Sequence, residues 1–187
     1  MTPPDGSSSS GNISSAWVEH PPTWALPVSV PVNTTLVRRS NLVARVTAAV
    51  VFPQGFLFYL VMGFDLRSYP FQLIDFYSPR ARRDYPTPAS LQVRFPDGLV
   101  ADSSVKTYHR PAPEGPVMIY RGGDSHPREP ENPGDDAFRR HESLWWVSPL
   151  PPPGVLKFIM HTRDSPEPAG SGNFDAEPIL VAASQLG

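Results

Sequence analysis

The chain has 187 residues, 40% of them hydrophobic, which suits one folded core with accessory segments better than two full domains. Its 25 prolines exclude long helices, because proline disrupts a helix interior and cannot donate to a sheet ladder. A formal net charge of −2 gives no field to attract nucleic acid or a membrane surface, and the absence of cysteine excludes disulfides, thiol nucleophiles and thiolate metal sites.

The N-terminal residues predict a flexible tail over residues 1–24. Residues 1–15 are mostly proline, glycine and serine, and they lack the basic and apolar regions of a signal peptide. The most apolar window, residues 56–64, is far shorter than the roughly 20 residues that cross a bilayer. We therefore expect a cytoplasmic protein without a membrane partner, with a single β-sandwich domain over residues 25–187.

The strongest structural signal is a β-hairpin over residues 42–66. Two runs rich in Val and Phe, residues 42–52 and 56–66, flank the tripeptide Pro53-Gln54-Gly55. Proline suits the first turn position and glycine a left-handed residue after it, which predicts a hairpin with a bulge. We place these two strands at the centre of a sheet. Residues 28–38 are expected to form an opening strand at the sheet edge, where their prolines are tolerated.

Further strands are predicted beyond the central hairpin. In residues 90–103, apolar and polar side chains alternate before the turn Pro96-Asp97-Gly98, which indicates a second hairpin with one buried face. Residues 116–121 form another short strand. Residues 140–147 and 155–161 read as strands on either side of a proline-rich corner, which is too rigid for a tight hairpin loop.

The remaining segments complete the predicted architecture. Residues 124–136 and 164–173 are polar and rich in proline, glycine or serine, so we expect disordered loops there. Asp175 is expected to cap a short C-terminal helix, with Glu177 and Pro178 in its first turn and the apolar residues Ile179, Leu180, Ala182 and Ala183 following. The predicted fold class is mainly β, an antiparallel β-sandwich with a short C-terminal helix.

A tryptophan followed by a proline-rich run carries the one family resemblance in the chain. Trp146 precedes Ser148 and the sequence Pro-Leu-Pro-Pro-Pro-Gly at residues 149–154, and an apolar strand and the segment 174–180 follow. In these features the chain resembles a group of uncharacterised actinobacterial proteins, over about the middle and C-terminal two thirds of its length. The resemblance implies a bacterial source, and it brings no established activity or catalytic residue.

Two groups of residues are candidates for an interaction face. Trp145 and Trp146 alternate across a predicted strand, so one should enter the core and the other should point outward. The outward indole is either covered by the proline run, which we favour, or marks a binding face. Arg80, Arg82 and Arg83 form a basic cluster among aromatic residues. They could contact a nucleic acid strand, but a charged, solvated loop is the favoured interpretation because acidic residues flank them.

No catalytic, cofactor or metal site is predicted. The chain contains no Gly-x-Ser-x-Gly elbow for a serine nucleophile. His141 and Glu142 are adjacent in a strand and should point to opposite faces, so they are not expected to form a dyad. None of the histidines falls in a zinc-binding spacing. The histidines are His20, His109, His126, His141 and His161. A pair of carboxylates could still assemble in three dimensions.

These observations predict a non-catalytic binding or interaction module without a cofactor, with another protein as its candidate partner. A structural subunit of a larger bacterial or phage assembly is the second hypothesis, and an uncharacterised hydrolase is the third. Buried carboxylates or histidines clustered in a cleft would favour the hydrolase. A flat, exposed apolar patch would favour binding or assembly.

Overall fold

The computed structural model describes residues 20–65, 89–103, 115–123, 138–162 and 167–186. These ranges contain nine strands and one helix. The elements are β1 (Val28–Arg38), β2 (Leu42–Phe52), β3 (Gly55–Asp65), β4 (Ala89–Arg94), β5 (Val100–Asp102), β6 (Val117–Gly123), β7 (Phe138–Ser148), β8 (Val155–Thr162), β9 (Pro168–Asp175) and α1 (Glu177–Ser184).

The strands form two antiparallel sheets that enclose one main core. The five-stranded sheet has the order β1-β2-β3-β7-β6, and the four-stranded sheet has the order β5-β4-β8-β9. Side chains of both sheets meet in a shared apolar cluster. Phe58 of β3 contacts Phe158 of β8 edge-to-face, with ring centroids 5.2 Å apart. The predicted β-sandwich with a short C-terminal helix is confirmed.

The central hairpin is confirmed, but its turn differs from the prediction. Strands β2 and β3 pair from Leu42–Phe64 to Phe52–Gly55, so the loop between them has only two residues. Gly55 belongs to β3 and is not left-handed. A Cβ at this position would lie 2.2 Å from the Val147 carbonyl oxygen and 2.8 Å from the Trp146 ring. Glycine is therefore required by close packing against β7 and not by turn conformation.

Strands β1 and β9 lie next to each other at one side of the sandwich. The Thr34 hydroxyl donates to the Asn173 carbonyl at 3.3 Å, and the Arg39 guanidinium donates to the Ala169 carbonyl at 2.8 Å. A Cβ at Gly170 would lie 2.0 Å from a carbonyl oxygen of β1. These contacts link the two sheets at this edge.

The prediction of disorder over residues 164–173 is wrong for residues 168–173. These residues belong to β9 and pair with β8 from Val155–Asp175 to His161–Pro168. Low apolar content misled the prediction, because the strand gains its stability from ladder hydrogen bonds and from close contact with β1. Residues 163–166, the predicted loop 124–136 and residues 1–19 of the predicted tail lie outside the described residues.

Three connections meet at one end of the sandwich, which we call the turn end. The β4–β5 turn contains Gly98 with φ of 89°, as predicted. The proline corner at residues 149–154 carries the chain from the five-stranded to the four-stranded sheet after a cis bond between Ser148 and Pro149. The Ser148 hydroxyl donates to the Gln54 carbonyl of the β2–β3 turn at 2.9 Å. We call the opposite end the far end.

Helix α1 follows β9 and packs against β1 and β2. The predicted cap is displaced by one residue, because the N-cap position is Ala176, which makes no side-chain cap hydrogen bond. Asp175, just before it, accepts a hydrogen bond from the Glu177 backbone N–H at 3.0 Å. Ile179 and Ala182 are buried and fix the helix on the core.

Candidate functional site

Trp145 and Trp146 lie on opposite faces of β7, and both are buried. Trp145 joins the main core and is 5% exposed, whereas Trp146 points away from it and is 0% exposed. The alternation of the two side chains is as predicted. The hypothesis that the outward indole marks a binding face is wrong, because Trp146 is buried. The favoured alternative, a covered indole, holds, and the apolar side chains packed with it include Phe52, Ile119 and Ala25.

A second apolar cluster covers Trp146 on the outer face of the five-stranded sheet. Its buried members are Phe52, Ile119 and Trp146, and we call these three residues the outer cluster. The Phe52 and Trp146 rings meet edge-to-face, with centroids 5.7 Å apart and an interplanar angle of 77°. Ala25, ahead of the first strand, packs against this cluster. The sandwich therefore has a third apolar layer over one part of its outer face.

The residues that add this layer carry two exposed apolar side chains. We call residues 20–27 the anchor segment. Its Ala25 contacts the outer cluster, while Trp24 and Leu26 on either side are 74% and 86% exposed. Prolines at positions 21, 22 and 27 restrict the backbone φ angles around them. The segment thus exposes the side chains of Trp24 and Leu26 to solvent, while Ala25 holds its backbone against the outer cluster.

The outer face of the five-stranded sheet changes character towards the far end. Successive rows of side chains across β2, β3 and β7 follow from the strand register. The rows are Val50–Leu57–Trp146, Ala48–Tyr59–Leu144, Arg45–Val61–Glu142 and Val43–Gly63–Arg140. The first two rows are apolar apart from the tyrosine hydroxyl, and Tyr59 is 39% exposed. The last two rows combine valines with charged residues.

The charged residues of this face are mainly arginines. Arg45 donates to the Thr35 hydroxyl at 3.3 Å, and Arg140 forms an exposed ion pair with Glu142. Arg38 lies opposite Val43 in the register and is exposed. An apolar area with a charged rim is the usual composition of a protein interface.

A small polar group lies inside the core near β6 and β7. The Trp145 indole N–H donates to the Ser143 hydroxyl at 3.0 Å, and the Tyr120 ring packs edge-to-face on the same indole. Burial raises the pKa of Tyr120 above its ordinary value of 10.0. The Ser143 hydroxyl therefore satisfies a buried indole. The same β7 face carries buried His141, while Glu142 points outward, so the predicted separation of these two residues is confirmed.

The other residues singled out in the sequence lie apart from the outer face or outside the described residues. Arg80, Arg82 and Arg83 fall in residues 66–88, between β3 and β4, which the structure does not describe. His20 is exposed and His161 is half-buried on β8. Among the described residues, no group of three His, Asp or Glu side chains could hold a metal ion.

The sequence prediction missed Trp24 and Leu26. It placed the tail boundary at residue 24 and looked for an exposed tryptophan at positions 145 and 146. A signal was present, since Trp-Ala-Leu between prolines is unusually apolar for a flexible tail. What could not be read from the sequence was the contact between Ala25 and a cluster formed by residues 52, 119 and 146.

Comparison with known proteins identifies no relative. No protein-family model matches the chain, and neither a curated protein nor a solved structure matches it. In the described part of the chain, no helix is long and apolar enough to cross a membrane.

Proposed function

We propose that the protein is a non-catalytic module that binds another protein through the outer face of its five-stranded sheet. The observation that carries this proposal is the anchor segment, which exposes Trp24 and Leu26 on both sides of the packed Ala25. Tryptophan is among the residues that most often dominate binding energy in protein interfaces.

The anchor segment is suited to binding because little conformational freedom is left for a partner to remove. Ordering a flexible segment during association reduces affinity. Here the packed Ala25 and the neighbouring prolines already restrict the backbone. An exposed indole on such a backbone can fill a partner's pocket at a lower entropic cost than an indole in a free tail.

The sheet beside the anchor segment supplies the rest of a contact surface. Tyr59 and its half-buried neighbours Leu57 and Leu144 form an apolar area, and Arg45 and Glu142 stand at its charged rim. By comparison, single exposed apolar residues elsewhere need no explanation. The concentration of apolar side chains on one face, together with two protruding anchors, favours a binding role.

The setting of this activity is part of the same proposal. A chain without cysteine needs no oxidising compartment, which supports a cytoplasmic module. The resemblance to actinobacterial proteins supports a bacterial host.

Photo-crosslinking in a bacterial host tests the binding face. Trp24 is replaced by the photoreactive residue p-benzoylphenylalanine, and Leu99, an exposed apolar residue of the β4–β5 hairpin, is replaced in a control protein. We expect one defined adduct, identified by mass spectrometry, from position 24 and not from position 99. Equal labelling from both positions, or none from position 24, would contradict the proposal.

The identified partner then provides a quantitative test. Binding of the purified partner is measured by calorimetry for the parent, Trp24→Ala and Leu99→Ala. We expect Trp24→Ala to weaken binding by roughly 30-fold, the effect of an interface hot spot, and Leu99→Ala to leave it unchanged. Unchanged binding by Trp24→Ala would show that the adduct reflects proximity alone and would reject the proposed face.

A further inference from the structure

We propose that the dipeptide Asp97-Gly98, in the turn between β4 and β5, is a modification site at which the aspartate converts to isoaspartate when the hairpin opens. Both residues are exposed at the tip of the hairpin. An aspartate followed by glycine meets the least steric resistance to this conversion, because glycine has no side chain beside the attacking nitrogen. The proposal does not use the outer face, so it is independent of the proposed function.

The conversion rearranges the backbone and needs only water. The Gly98 nitrogen loses its proton and bonds to the Cγ carbon of Asp97, while one oxygen of the protonated carboxyl group leaves as water. The product is a succinimide ring. Water then adds to the ring carbonyl carbon that is bonded to Cα, the bond from this carbon to nitrogen breaks, and nitrogen regains a proton. The backbone now runs through Cβ and Cγ, and the former backbone carbonyl carbon carries a free carboxylate.

In the folded hairpin, hydrogen bonds hold both reacting groups. The Gly98 N–H donates to the Phe95 carbonyl at 3.0 Å, and the Asp97 carboxylate accepts from the Leu99 N–H at 3.0 Å. Asp97 does not have a positive φ and follows Pro96, so the turn is of type I and Asp97 has a ψ of about 0°. Ring closure requires a different ψ, at which the Gly98 nitrogen eclipses Cβ. The turn therefore opposes the reaction.

Neighbouring residues hold the turn in this conformation. Phe95 is 3% exposed and belongs to the main core, and its N–H donates to the Leu99 carbonyl at 2.8 Å. The proline corner approaches Pro96 so closely that a Cβ at Gly154 would lie 2.9 Å from the Pro96 Cβ. Rotation at the tip disturbs these contacts, so we expect the reaction to proceed only from a locally opened hairpin.

Isoaspartate at position 97 would keep the hairpin from closing correctly again. It adds one carbon to the backbone between the Asp97 Cα and the Gly98 nitrogen, so the two hydrogen bonds of Phe95 can no longer form together in their present geometry. Strand β5 has only three residues and depends on this turn for its register with β4. The modification would thus mark chains whose hairpin has been open, and it would weaken their fold.

Ageing the protein at neutral pH and body temperature tests the proposal. Trypsin releases residues 95–106, and chromatography with electron-transfer fragmentation distinguishes isoaspartate at Asp97 from isoaspartate at Asp102, the control in the same peptide. We expect position 97 to react at least about 10-fold more slowly in the folded protein than in a synthetic peptide of residues 93–101, which corresponds to a local opening free energy of about 1.4 kcal/mol. In guanidinium chloride, protein and peptide should react at equal rates.

A variant of the turn tests whether local opening controls the reaction. Pro96→Gly leaves Asp97-Gly98 unchanged but removes the restriction on the first turn position, so it should raise the rate in the folded protein by about 3-fold. Circular dichroism checks that the variant is folded. Pro53→Gly makes the same chemical change in the β2–β3 turn and should leave the rate at position 97 as in the parent.

Three results would overturn the proposal. Equal rates in the folded protein and in the peptide would show that the hairpin does not protect the site. No isoaspartate at position 97 in the unfolded protein would show that the site does not react. Equal rates for the parent and a folded Pro96→Gly variant would show that opening of this hairpin does not control the reaction.

Discussion

The outer faces of the two sheets differ in what they present to solvent. On the four-stranded sheet, Arg94 and Lys157 are cross-strand neighbours and both are exposed. On the five-stranded sheet, the outward side chains at the turn end include Trp146 and Phe52, which are buried. The first face is wet at this pair, although Ile159 further along β8 is buried on it, while the second carries a further apolar layer and a partly exposed apolar surface.

This difference is already present in the strand sequences. In β4 the order Leu-Gln-Val-Arg alternates, as expected for a strand with one buried and one wet face. In β3 the order Phe-Leu-Phe-Tyr-Leu-Val-Met is apolar at nearly every position. Continuous apolar runs are typical of strands that are covered on both faces. The lesson is that the loss of alternation in a sandwich strand indicates a covered or contacting outer face.

The largest expected effect compares the two faces of β3 directly. Leu60 is buried in the main core and Val61 lies half-exposed on the outer face. Leu60→Asp should lower the free energy of unfolding by more than about 4 kcal/mol, because it buries a carboxylate in the main core. We expect that this variant no longer unfolds cooperatively. Val61→Asp should lower the free energy of unfolding by less than about 1 kcal/mol, because the new side chain can reach solvent. Urea denaturation followed by circular dichroism measures both values; similar losses would contradict the assignment of the faces.

The next effect compares outward side chains on the two sheets. Trp146→Ala should destabilise the fold by about 3–5 kcal/mol, because the indole fills a packed cluster although it points away from the main core. Lys157→Ala, on the wet face, should change stability by less than about 0.5 kcal/mol. Chemical denaturation followed by circular dichroism gives both values. A small effect of Trp146→Ala would mean that the outer cluster is not a structural layer.

A smaller effect separates the two roles of the anchor segment. Ala25→Asp should lower the free energy of unfolding by about 1–2 kcal/mol, because it places a charge against the outer cluster and weakens the packing of the anchor segment on it. Trp24→Ala should change the free energy of unfolding by less than about 0.5 kcal/mol, since its side chain is already exposed. Denaturation midpoints at low protein concentration provide the measurement. Equal losses from the two variants would show that Trp24 is packed.

These contrasts also mark what the sequence can predict. The Pro96-Asp97-Gly98 turn and the helix start near Asp175 depend on residues close in sequence; the turn is confirmed, and the helix cap lies one residue after the predicted position. The strand β9 was missed because its glycines matter only through their contact with β1. A cover over the outward tryptophan was expected, but the side chains that supply it, Phe52, Ile119 and Ala25, were not identified because they are distant in the chain. Local rules describe turns and caps, but burial on an outer face depends on tertiary contacts.

The smallest expected effect concerns Tyr120 on the inner side of β6. Burial raises its pKa, so the folded state holds the phenol proton more tightly than the unfolded state. The protonated phenol therefore contributes to the stability of the folded state. This contribution is complete below the unfolded pKa of 10.0 and is lost as the pH rises through the folded pKa. Urea midpoints in increasingly alkaline buffers should fall less for Tyr120→Phe than for the parent. Parallel curves would contradict a raised pKa of Tyr120.

Fluorine NMR tests the central claim, that the outer face contacts a partner through Trp24, most directly. The protein is labelled with 5-fluorotryptophan, with Trp17 replaced by Phe, and each resonance is assigned by a further Trp→Phe change. In the protein alone, the Trp24 resonance should shift fully between H₂O and D₂O, and this response should decrease when the crosslinked partner is added, while Trp145 and Trp146 stay protected throughout. A Trp24 resonance that is protected in the protein alone, or that stays equally accessible with the crosslinked partner added, would contradict a binding face at Trp24.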